Sequence, residues 1–284
     1  MGDPHLERRG IHRPNLRLTN ARHPEDDVID LLTLNAGDAH LTVDLAAGGR
    51  ISSLSIGEAE LIVPQAVDPN PLNWGCYPMV PFAGRLRDGL LDFDGATHTL
   101  PRTLDPHAIH GYGFTSEWSR LDDQAIEWNF SEPWPFTGRA TQRFELTENR
   151  LTITMDVLAH QRQPMQVGWH PWFQRTTAAG DLEFELPPSS MYRRGSDGIP
   201  DGELITPPPG PWDDCFTALA TEPVLRWGGL TLELSADADH WVVYDGPAHA
   251  ICVEPQTGPP NGVNSAPEIL EAGHTLTTSF TMRW

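Results

Sequence analysis

Apolar and polar positions alternate over short runs along most of the chain, the pattern of strands with one buried face. HLTVDL (40–45), ISSLSI (51–56), RLTITMDVL (150–158), LEFEL (182–186), LTLELS (230–235), WVVYD (241–245) and TLTTSFTMRW (275–284) carry it, and all are rich in β-branched or aromatic residues. Two connections read as hairpins. Asp94-Gly95 joins LLDF to ATHTL with a dipeptide suited to a type I′ turn, and Glu148-Asn149-Arg150 separates TQRFELT from LTITMDV. The chain holds 25 Gly and 27 Pro, so few windows sustain a long helix. No fixed-period repeat and no Gly/Ser linker divides it, and the Pro-rich stretch GIPDGELITPPPGPWDD (198–214) predicts a loop. The expectation is an all-β fold: a polar N-terminal extension over 1–27, then one domain over 28–284 built of two large packed antiparallel sheets, a β-sandwich rather than a small barrel.

Composition narrows the function. The 284 residues are 39% hydrophobic with 10 Trp, enough for a sizeable core. No apolar run approaches the roughly 18 residues of a membrane span, and the first residues lack the apolar segment of a secretory signal. A cytoplasmic location is expected. Acidic residues outnumber basic ones 39 to 19, for a formal charge of −20. That field repels nucleic acid and anionic membrane and suits a neutral small molecule. All 19 basic residues are arginine, which excludes Schiff-base chemistry, pyridoxal phosphate attachment and a P-loop lysine. Cys76, Cys215 and Cys252 lie far apart without CxxC spacing, against a disulfide framework or structural zinc.

Chemistry concentrates in a few polar islands, expected in loop-like settings. In QVGWHPWF (166–173) His170 precedes a proline and stands among three aromatic rings. Pro171 holds it extended, at a strand end or in a loop, and a pKa near 6.5 suits it to move protons at neutral pH. A core histidine bonded to a carbonyl is the plainer alternative. Glu254 follows the continuously apolar AICV in CVEPQTGPPNGVNS (252–265), which suggests a carboxylate carried by a strand buried on both faces rather than a solvated acid. Arg85, after Pro81-Phe82-Ala83-Gly84, offers a five-donor fork on a rigid turn. His107 and His110 have HxxH spacing, but Pro106 and the glycines at 111 and 113 deny a helical metal pair; one of them donating to a ligand hydroxyl fits better. Asp213 and Asp214 in PWDDCF are acceptors for hydroxyls or simply loop acids. Trp169, Trp172 and Phe173 offer large apolar faces, with core packing the role of at least one.

Taken in order, PFAGR, HAIHG, GWHPWF, WDDCF and VEPQTGPPNGVN resemble the aldose 1-epimerase (galactose mutarotase) family from about residue 36 to the C-terminus. The resemblance implies a large antiparallel β-sandwich of the galactose mutarotase type with a sugar cleft on one sheet. It implies cofactor-free interconversion of the α and β anomers of an aldohexose, glucose or galactose in type. His170 matches the family's catalytic acid and Glu254 its base. Arg85, His110 and Asp213 match sugar-binding positions, with His107 and Trp172 as further candidates. The family usually shows HGG where this chain has HGYG, and often Tyr where it has Trp172. Acid and base are expected to face one another across a hexose-sized gap. Three other readings remain at this stage: a binding protein without turnover, a hexose-6-phosphate substrate with Arg87 as an added cation, and a metal triad of His110, His170 and Glu254. The expected partner is a sugar, with no metal or other cofactor, no nucleic acid and no membrane, in a monomer or homodimer.

Overall fold

The structure is a computed structural model and describes residues 30–187 and 189–284; the expected 1–27 extension and the first two residues of the expected domain lie outside them. Two antiparallel sheets dominate, one of eleven strands and one of nine, as the alternation predicts. Both hairpins form: Leu90–Phe93 pairs with Ala96–Thr99, and Thr147 pairs with Arg150 across a two-residue turn. Asp94 and Gly95 both have positive φ, the geometry that makes Asp-Gly the favoured pair there.

Five strands of the larger sheet carry the site: β1 (Cys76–Met79), β2 (Gly168–Gln174), β3 (Asp213–Thr217), β4 (His240–Tyr244) and β5 (Ala250–Gln256). Their order is β1-β2-β5-β4-β3, with β2 and β5 in the middle of the sheet. A period of two sorts their side chains. Trp169, Phe173, Ile251, Val253 and Val243 join the core between the sheets. Trp169 crosses it, its ring 6.0 Å from that of Phe280 on the nine-stranded sheet and its indole N–H on Gln142 Oε1 at 3.0 Å. The intervening residues Tyr77, Trp172 and Cys252 form a second cluster on the opposite face. The apolar run before Glu254 is therefore buried on both sides, as a central strand requires.

Two expectations change. The Pro-rich stretch is not all loop: Pro200–Ile205 forms an edge strand, where a residue without an N–H leaves no ladder bond unmade. His170 lies inside a central strand rather than at a strand end. Its neighbour Pro171 is tolerated because β2 and β5 pair at Gly168↔Gln256 and Trp172↔Cys252 but not between, where Pro171 and Pro255 bring no N–H.

Candidate active site

The pairs on either side of that interruption put His170 directly opposite Glu254. Their side chains meet, His170 Nε2 to Glu254 Oε1 at 3.1 Å, and are 7% and 2% exposed. They share a cleft of about 270 Å³ with Arg85, His110, Trp172 and Asp213. The expected gap between acid and base is absent. Adjacent central strands hold opposed side chains about 5 Å apart at Cβ, so two such groups touch rather than straddle a ligand.

Sequence reasoning missed Gln256 and Tyr77, which also line the cleft. The Gln256 amide donates to Glu254 Oε2 at 3.3 Å. Two residues beyond Glu254 on the same strand face, it was readable from the alternation. Tyr77 stands opposite His170 on β1 and stacks on its ring at 4.6 Å. No local signal could have placed it, since the pairing spans two distant segments. Arg50 is a third omission. Fully buried, it donates to the carbonyls of Ala47, Pro71, Trp74 and Phe114, and its guanidinium lies 5.1 Å from the centre of the Tyr77 ring.

The histidine pair separates. His110 is buried in the cleft with φ of 60°, its ring edge-on to His170 at 4.9 Å and its Nδ1 without a partner. Gly111 follows, also at positive φ. A Cβ there would stand 2.2 Å from the Val80 carbonyl oxygen, so only glycine completes this turn. His107 is not among the cleft-lining residues, contrary to its candidacy for sugar contact. Its Nδ1 accepts from the Asp88 backbone N–H at 3.1 Å, which leaves Nε2–H to donate to the Asp197 carbonyl at 2.9 Å. With both nitrogens engaged it braces the loop. Asp213 faces the cleft and accepts from Arg85 at 2.9 Å, whereas Asp214 turns to Arg194 at 3.2 Å. Of the three aromatics of GWHPWF, Trp172 alone lines the cleft.

Burial governs the proton chemistry. It lowers the His170 pKa to about 3, aided by the positive charges of Arg50 and Arg85. The same burial pushes Glu254 well above the usual carboxylate range, with Asp213 adding to the shift. His110 is driven well below the ordinary imidazole value, first by burial and then by His170 and Arg85. Imidazole and carboxyl therefore favour their uncharged forms. The metal-capable cluster among the described residues is His170, Cys252 and Glu254, not the triad with His110.

The profile of the aldose 1-epimerase family matches residues 30–283. Over 150 residues the chain is 29% identical to the uncharacterized protein YphB of Escherichia coli K12, a stretch that is 50% of this chain and 51% of the relative; the chain thus spans about half the length of that curated relative. A galactose mutarotase-like protein from Clostridium acetobutylicum superimposes with a TM-score of 0.77 at 16% identity, covering 88% of this chain and 93% of that one. The galactose 1-epimerase of Lactobacillus acidophilus NCFM gives 0.74 at 16% identity, with 92% and 96% covered. Both share the fold.

Proposed function

The chain belongs to the aldose 1-epimerase family, and from that premise we propose that it interconverts the α and β anomers of a neutral aldohexose, with Glu254 as base and His170 as acid. One observation carries the reading: an imidazole and a carboxyl in direct contact on the floor of a cleft of about 270 Å³, smaller than the roughly 300–1,000 Å³ of drug-sized sites. Ring opening takes a proton from the C1 hydroxyl and gives one to the ring oxygen. Both oxygens are bonded to C1, so a touching acid and base suit them better than groups on opposite sides of the sugar.

The proton count closes. The uncharged pair and its ionic form, carboxylate with imidazolium, differ by the shift of one proton along the 3.1 Å contact. From the ionic form Glu254 takes the proton of the C1 hydroxyl while His170 protonates the ring oxygen; the bond from C1 to the ring oxygen breaks, which restores the uncharged pair and leaves the open-chain aldehyde. Rotation about C1–C2 presents the other carbonyl face, and the steps reverse. Arg85, His110 and Asp213 offer partners to the sugar hydroxyls, and Trp172 a face for its C–H surface.

Anomer exchange followed by NMR tests this. Each positioned catalyst contributes about 10²–10⁴-fold, so Glu254→Gln and His170→Asn should each reduce exchange by that factor with the fold retained. Wild-type rates equal to buffer would leave only the binding-protein reading.

A further inference from the structure

Beside the acid–base pair lies a thiol that the proton transfer does not use. Cys252 is two residues before Glu254 on β5 and so faces the same side; it is fully buried opposite Trp172. One ligand atom from each of His170, Cys252 and Glu254 lies within 4.8 Å of the other two, and the His–Glu separation is 3.1 Å. A tetrahedral zinc ion has bonds of about 2.0–2.3 Å, which set its ligand atoms roughly 3.3–3.8 Å apart. The three groups thus need to close by only about an ångström. Imidazole, thiolate and carboxylate together select zinc-like cations over magnesium or calcium, which take oxygen. The cleft, which His170 and Glu254 line though Cys252 does not, supplies the way in, and water completes the fourth position of a zinc site of this kind. Among the described residues neither Cys76 nor Cys215 stands in such a group.

We propose that His170, Cys252 and Glu254 form a site for one zinc-class divalent cation per chain, and that filling it stops the enzyme. Coordination sends the thiol proton and the proton held between His170 and Glu254 to water. The lone pairs that would take and return the sugar's protons are then on the metal. The inhibitory half rests on the epimerase reading, whereas the binding half does not.

Cobalt(II) is the probe for binding. Titrated into the wild-type chain it should bind once, with a near-ultraviolet thiolate-to-cobalt charge-transfer band that Cys252→Ala removes. Zinc(II) should abolish anomer exchange in the wild type. Cys252→Ala should exchange at the wild-type rate and need at least about 100-fold more zinc, beyond what an outer contact is worth. Should alanine fail to fold, Cys252→Ser serves, and the wild-type spectrum decides in any case. No thiolate band, or a band that survives loss of Cys252, overturns the site. Stoichiometric zinc with exchange intact overturns the inhibition. A cobalt band in a chain that exchanges no aldohexose supports the site while ending both the inhibition and the epimerase reading.

Discussion

An imidazole in water takes up a proton near pH 6.5, but His170 is enclosed by Tyr77, Trp172 and His110, and its pKa falls to about 3. Glu254 moves the other way. Ring opening needs the pair to hold one titratable proton, a state lost on the acid side only when His170 gains a second, near pH 3. On the alkaline side it is lost when the pair gives up the proton of Glu254, whose raised pKa delays that step. Since the shifts run in opposite directions, the working window widens at both ends. We therefore expect kcat/KM for anomer exchange, corrected for buffer catalysis, to stay flat between pH 5 and about pH 7, with no inflection at 6.5. A midpoint near 6.5 in the acid limb would show His170 titrating as a solvated imidazole, contrary to its burial.

At the scale of the strand, β2 and β5 act as one part. Gly168 lets them approach: a Cβ there would stand 2.4 Å from the Pro255 carbonyl oxygen. Gly168→Ala must therefore push the strands apart. It should cost about 1–3 kcal/mol in denaturant unfolding, and, by displacing His170 from Glu254, about 10²-fold in exchange rate. A variant that unfolds earlier yet exchanges at full rate would show that the contact tolerates misplacement. The same strands show what the sequence discloses. Alternation within GWHPWF and AICVEPQ sorts Trp169 and Val253 from His170 and Glu254, and with them the sandwich and the two principal groups. What alternation cannot supply is which strand lies beside which. Tyr77 reaches the site, and Arg50 the ring of Tyr77 behind it, through pairings between segments far apart in the chain, and the separation of His107 from His110 depends on a left-handed turn whose only local trace is Gly111. A proline misled for a related reason: Pro171 read as the mark of a strand end or loop, whereas the interrupted ladder accommodates it in the middle of a sheet.

For the whole molecule, charge decides which sugars approach. The chain carries a formal −20, and the arginines near the cleft mouth are already paired: Arg85 with Asp213 at 2.9 Å, Arg87 with Asp197 at 2.7 Å and Arg194 with Asp214 at 3.2 Å. A phosphate would have to displace an aspartate from one of them against the net field. Glucose should accordingly show the higher kcat/KM, unmoved by salt. Glucose 6-phosphate should start lower and improve toward 0.15 M salt, where screening shortens to about 8 Å. The reverse preference would make one of these arginines, Arg87 foremost, a phosphate ligand. The position of β2 and β5 in the middle of the larger sheet has one more consequence. Neither strand lies at a sheet edge, where local fraying begins, so the bonds that hold them open only when the whole fold does. Turnover and near-ultraviolet ellipticity should then vanish together on heating, with no range of temperature in which the protein is intact but idle.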